Sequence, residues 1–124
     1  MILDAGALIG YERGNLQVAA LLEWAARNAI DVKTTTGVIA QVWRSGARQA
    51  KLALLLRNVA EVELSSEQAR RVGTLLSTAA CSDVIDASIV DISRDGDEVL
   101  TSDPDDIAEL TRSAGKHLLI RSVT

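Results

Sequence analysis

Apolar positions along this chain alternate between two periods. Five short runs rich in apolar or β-branched residues predict strands: "MIL" (1–3), "DVKTT" (31–35), "VAEVEL" (59–64), "DEVLTS" (97–102) and "KHLLIRS" (116–122). Between them the apolar residues recur at helical spacing. "AGALIGYERG" predicts a short helix ending near Gly14. "NLQVAALLEWAARNA" predicts a longer one, with Val18, Leu21, Leu22 and Ala25 facing inward and Trp24 as a core anchor. Thr36 is placed to cap "GVIAQVWRSG", which Gly46 breaks before "ARQAKLALLLRN". Ser65 and Gln68 have the spacing of a capping box ahead of "EQARRVGTLLSTA". Ser82 is placed to cap "DVIDASIVDIS". "DPDDIAELTRSAG" has Pro104 at its first helical position and Gly115 just past its end.

Strand–helix alternation with short connections predicts a doubly wound α/β fold, a five-stranded parallel sheet with helices on both faces, spanning residues 1–124 as one domain. A chain of 124 residues is large enough for one hydrophobic core without staples. Cys81 is the only cysteine, so no internal disulfide can form, which fits a cytoplasmic location, and Cys81 itself reads as core filling. No run approaches the roughly 18 apolar residues of a membrane span. "MILDAGALIG" has neither the basic start nor the cleavage site of a signal peptide.

The formal charge of −4 argues against a module that works only by holding nucleic-acid phosphates. It leaves room for a metal-dependent enzyme, because cations held by acids reverse the local field. His117 is the only histidine, which excludes a His-rich metal site and argues against a Ser-His-Asp triad. It reads as a packing residue in or beside the last strand.

Several acids stand where chemistry would need them. In the helix of residues 82–93, Ile85, Ile89 and Ile92 mark the buried face; Asp86 lies beside that stripe and Asp83 one turn earlier. Asp4 directly follows the first strand and Asp103 the fourth. Ligands of open parallel sheets bind beyond the carboxyl ends of the strands, where strand order reverses. If the first and fourth strands are neighbours, Asp4 and Asp103 face one crevice, and the helix carrying Asp83 and Asp86 starts near the same rim. Carboxylates so close raise one another's pKa unless a cation neutralises them. Oxygen donors alone suit Mg²⁺ or Mn²⁺ rather than zinc, and such a site can activate water against a phosphodiester. Plain structural roles compete. Asp103 can be an N-cap before Pro104, with Asp105 and Asp106 favouring the helix dipole, and Asp4 and Asp83 can serve helix starts in the same way. Asp86 has no such account, and a buried acid without a partner is costly.

"MILDAGALI", "DVIDASIV" and "VLTSDPDDI" together resemble the PIN-domain ribonucleases, specifically the VapC-like toxins of bacterial toxin–antitoxin pairs, over essentially the whole chain. The resemblance implies that Asp4, Asp86 and Asp103 are the catalytic metal ligands, with Asp83 as an outer or second-site ligand and Thr101 orienting a site carboxylate. It implies Mg²⁺- or Mn²⁺-dependent endonucleolytic cleavage of RNA, with activated water attacking phosphorus to leave a 5′-phosphate. It also implies a homodimer and a cognate VapB-like antitoxin that inserts a basic side chain among the acids and lays an apolar helix in a groove. Two residues depart from the family pattern. "VIAQVW" has Gln41 where the family usually has Glu; the amide oxygen can coordinate, but it carries no charge and cannot act as a base. Gly6 stands where the family often has Ser or Thr, which removes one hydrogen bond to the site.

Arg44, Arg48 and Lys51 fall at near-helical spacing and could touch an RNA backbone, although Ser45-Gly46 interrupts the stretch and a solvated charged face is the plainer reading. Two alternatives stand beside the nuclease. One is a catalytically impaired PIN-like binding or regulatory module, which Gln41 makes credible. The other is a phospho-receiver signalling domain, which would need paired acids after the first strand and an acceptor Asp after the third. Here Asp4 stands alone and "VEL" runs into Ser65-Ser66. No G-x-x-x-x-G-K-[ST] cradle and no G-x-G-x-x-G turn is present.

Overall fold

A computed structural model describes residues 1–123. Five strands, β1 (Ile2–Leu3), β2 (Lys33–Thr35), β3 (Ala60–Val62), β4 (Glu98–Thr101) and β5 (Leu119–Ser122), form one sheet in the order β3-β2-β1-β4-β5. Every pairing is parallel. Among the described residues seven helices connect and cover them: α1 (Ala5–Glu12), α2 (Leu16–Arg27), α3 (Thr36–Val42), α4 (Ala50–Leu56), α5 (Ser66–Thr78), α6 (Val84–Ile92) and α7 (Pro104–Ala114). Strand order reverses between β1 and β4, which pair through Ile2–Val99 and Leu3–Leu100. This is the predicted doubly wound arrangement. It is not the 2-1-3-4-5 order of receiver-type folds, so the phospho-receiver alternative falls.

The central strands carry the core. Ile2, Leu3, Val99 and Leu100 are inaccessible, as strands covered on both faces must be, and Leu8, Leu52, Ile89, Ile107 and Leu110 pack over them. The edge strand β3 is short and half exposed. No helix among the described residues is long and apolar enough to cross a membrane.

Local boundaries differ from the sequence reading in ways that have physical reasons. Trp24 is not a core anchor. It is 48% exposed, because it projects about 120° away from the inward face set by Val18 and Ala25. Thr35, not Thr36, caps α3: its buried hydroxyl accepts the Val38 N–H at 3.2 Å. The helix predicted from residue 47 begins only at Ala50, because the Gln49 side chain builds the preceding turn. Its Oε1 accepts the Arg44 and Ser45 N–H groups, and its Nε2 donates to the Val42 carbonyl.

Only half of the predicted capping box forms. The Ser65 hydroxyl accepts the Gln68 N–H at 3.1 Å, while the Gln68 side-chain amide is buried without a hydrogen-bond partner. Asp83 replaces Ser82 as the cap of α6. His117 is exposed and precedes β5 rather than packing in it; its N–H donates to Asp95 Oδ1. Gly115 ends α7 with φ 66°, the left-handed conformation that glycine adopts freely.

Candidate metal centre

The site is assembled from the residues that end β1 and β4 and from the first turns of α6 and α7. Asp4 leaves β1 with its N–H on the Leu100 carbonyl, at 3.0 Å, and becomes the N-cap of α1, Oδ1 accepting the Ala5 N–H at 2.7 Å. Its Oδ2 accepts the Thr101 hydroxyl at 2.7 Å. The same hydroxyl accepts the Asp103 N–H at 2.9 Å. Asp103 occupies the N-cap position of α7, yet its side chain makes no capping hydrogen bond, so its carboxylate is free for the crevice.

Asp83 and Asp86 take different parts. Asp83 is exposed and its Oδ1 accepts the N–H groups of Ile85 and Asp86, both at 2.9 Å, which fixes the start of α6. Asp86 is 7% exposed and its carboxylate has no hydrogen-bond donor among the described residues. The buried face of α6 is wider than the isoleucine stripe, running unbroken from Asp86 to Val90, and this holds the acid inside.

Carboxylate oxygens of Asp4, Asp86 and Asp103 lie within 4.8 Å of one another. A second group of the same span shares Asp86 and adds Cys81 and Asp106. The sequence reading had no site role for either. Asp106 could have been found, because Asp83-x-x-Asp86 and Asp103-x-x-Asp106 are the same spacing at two helix starts, and residues three apart share a helix face. Cys81 gives no such signal.

The charges in this cluster are uncompensated. Burial pushes the Asp86 carboxyl up to about 7, and the neighbouring acids Asp4, Asp83, Asp103 and Asp106 add to the effect. Asp4 is also raised, chiefly by burial, against the opposing hydrogen bonds from Thr101 and Ala5. Among the described residues no lysine or arginine forms an ion pair with either group, and none is among the leading causes of either shift. Two buried acids and an exposed third, unpaired with any cation among the described residues and offering only oxygen, fit a hard divalent ion at Asp4, Asp86 and Asp103. The thiol of Cys81 is a soft donor and does not suit such an ion.

The remaining candidates lie apart from this hydrogen-bonded set. Gln41 is exposed on α3, and no hydrogen bond involves its side chain among the described residues. Arg44 donates to the Ala40 and Trp43 carbonyls at 3.2 and 2.6 Å, which caps the end of α3. Arg48 is exposed, and Lys51 Nζ stands 4.9 Å from the centroid of the Tyr11 ring. No hydrogen bond or ion pair among the described residues joins Gln41, Arg44 or Arg48 to the acids. Gly6 has a steric reason: a Cβ there would lie 2.5 Å from Ser102 Oγ and 2.9 Å from its backbone nitrogen.

No family model and no curated protein matches the sequence. Among solved structures, the chain is similar to a chain of VapBC2 from Rickettsia felis, crystallised bound to a DNA fragment from their promoter. The superposition has a TM-score of 0.70 at 15% identity and covers 99% of this chain and 98% of that one. At that identity the likeness is one of fold. With five parallel strands reversing order at β1 and β4, the chain has a PIN-like α/β fold.

Proposed function

We propose that this chain is a metal-dependent endoribonuclease of the VapC type, using Mg²⁺ or Mn²⁺ and inhibited by a VapB-like antitoxin. One observation carries the reading: three carboxylates from three separate elements converge within 4.8 Å at the reversal of strand order, with no ion pair to a lysine or arginine among the described residues. The likeness of fold to a chain of VapBC2 supports the antitoxin partner. RNA as substrate and a homodimer follow from the resemblance of "MILDAGALI", "DVIDASIV" and "VLTSDPDDI" to the family's motifs.

Asp4, Asp86 and Asp103 would hold the ion. When bound, it supplies charge neutralisation at the phosphodiester and acidification of water. Thr101 holds Asp4 in one rotamer and sets the start of the loop to Asp103. Asp83 fixes the first turn of α6 and thereby the place of Asp86; its second oxygen is free of hydrogen bonds and open to an outer ion. Asp86, with its carboxyl pushed up to about 7 chiefly by burial, is only about half ionised at neutral pH, and a bound cation would favour its charged form. Asp106 on α7 brings a further carboxylate close to Asp86.

The exposed, unbonded amide of Gln41 favours a second reading, a PIN-like module that binds but does not cleave. Purified protein free of antitoxin, incubated with a mixed RNA pool in Mn²⁺, Mg²⁺ or EDTA, separates the two. Metal-dependent cleavage that Asp4→Asn and Asp103→Asn abolish supports the nuclease. Intact RNA in every metal, alongside tight antitoxin binding, supports the module.

A further inference from the structure

A groove of about 490 Å³ lies along one side of α1, and Gly6 and Ser102, which line it, stand two and one residues from Asp4 and Asp103. Its near end is Ser102, which lies between Thr101 and Asp103. Its far end is Arg13, with the backbone of Gly6 and Gly10 forming one wall and Val123 contributing to the other. The wall is bare for a reason visible at Gly6, where the β4–α7 connection sits so close that no Cβ fits. Arg13 is the one charged side chain lining the groove. It is exposed and has no hydrogen bond or ion pair through its guanidinium among the described residues. The adjacent carboxylate of Glu12 accepts from Gln49 Nε2, at 3.1 and 3.3 Å, and makes no ion pair with Arg13 among the described residues. The Ser102 hydroxyl likewise has no partner among the described residues.

We propose that this groove is the subsite for the RNA strand flanking the scissile phosphate, with Arg13 on a backbone phosphate and the Ser102 hydroxyl at a ribose. The assignment rests on the nuclease reading above. The seven residue steps from Gly6 to the C-cap Arg13 span roughly 10 Å, a reach suited to the single strand beside a phosphate held at the acids. With Arg13 the one charged side chain lining the groove, a strand's phosphates meet a cation there although the chain's formal charge is −4. A hydroxyl at the ribose gives a means to tell RNA from DNA, through the 2′-OH.

The test is anisotropy of a fluorescein-labelled single-stranded RNA dodecamer in Ca²⁺, across a series of KCl concentrations. Arg13→Gln should weaken binding about tenfold and make the dependence of log K on log salt shallower by about 0.7, the share of one single-strand phosphate contact. Ser102→Ala should narrow the preference for RNA over DNA of the same sequence. Calorimetric Mn²⁺ binding without RNA should be the same in Arg13→Gln as in the wild type, which also reports that the variant is folded. Unchanged affinity and salt slope in Arg13→Gln would overturn the proposal, as would a slope change found only in Arg44→Gln. Wild type that binds RNA through Arg13 but does not cleave it in Mn²⁺ defeats the nuclease and leaves the groove standing. Wild type that neither binds nor cleaves defeats both.

Discussion

The Thr101 hydroxyl donates to Asp4 Oδ2 at 2.7 Å across 97 residues of sequence, and the same oxygen accepts the N–H of Asp103 at 2.9 Å. One fully buried side chain thus ties the acid that ends β1 to the acid that follows β4, at the place where strand order reverses. In the proposed site Thr101 would be a positioning residue. Replacing it by valine keeps its shape and leaves a buried carboxylate oxygen and an N–H without partners. Thr101→Val should lose about 1–3 kcal/mol of stability in urea unfolding and bind Mn²⁺ more weakly, with Thr101→Ser restoring most of both. Wild-type stability and Mn²⁺ affinity in the valine variant would remove this role.

A cation that binds only the folded state stabilises it by mass action. Mn²⁺ at a hundredfold excess over its dissociation constant should raise the unfolding free energy by about 2.7 kcal/mol, and EDTA should reverse the gain. Asp4→Asn and Asp103→Asn should each lose most of this shift in thermal unfolding. A full shift in the double variant would place the ion elsewhere.

The Asp86 carboxyl, held at about 7 in the folded chain, sits well above the ordinary value of about 3.9 that it regains on unfolding. Between those values the folded state binds the extra proton, so this group's contribution to stability is complete below about pH 4 and is lost as pH rises through 7. In EDTA, chemical denaturation from pH 5 to pH 8 should show stability falling more in the wild type than in Asp86→Asn. At pH 8 the variant should be the more stable of the two by on the order of 2 kcal/mol, a gain at the expense of the metal site. Parallel pH profiles for the two proteins would contradict this account.

Gln41→Glu adds a carboxylate to the exposed face of α3 without breaking any side-chain hydrogen bond among the described residues. Mn²⁺ affinity measured by calorimetry should rise. An unchanged or lower affinity would show that position 41 does not reach the ion.

Asp4 and Asp103 were legible as candidates because a strand's end is a local property, written in the switch from a β-like run to a helical one. The same locality explains the strand–helix alternation and the left-handed Gly115. It also explains the errors. Capping at Asp83 rather than Ser82, and at Thr35 rather than Thr36, depends on which backbone leaves the helix, a choice of one residue that neighbouring hydroxyls and carboxylates make equally available in sequence. Trp24 was read inward from its apolar character, although its position on α2 turns it to the surface.

The sequence by itself determined the alternating fold class, the acids at two strand ends and the D-x-x-D spacing at two helix starts, because each depends on residues within about a turn of one another. Only the tertiary structure decided that Asp103 leaves its carboxylate free, that Asp83 caps while Asp86 is buried, that Cys81 and Asp106 gather at Asp86, and that Ser102 closes against Gly6. Those outcomes follow from the β1–β4 register and from the packing of α6 and α7, which bring together groups nearly a hundred residues apart, and no local period records such a distance.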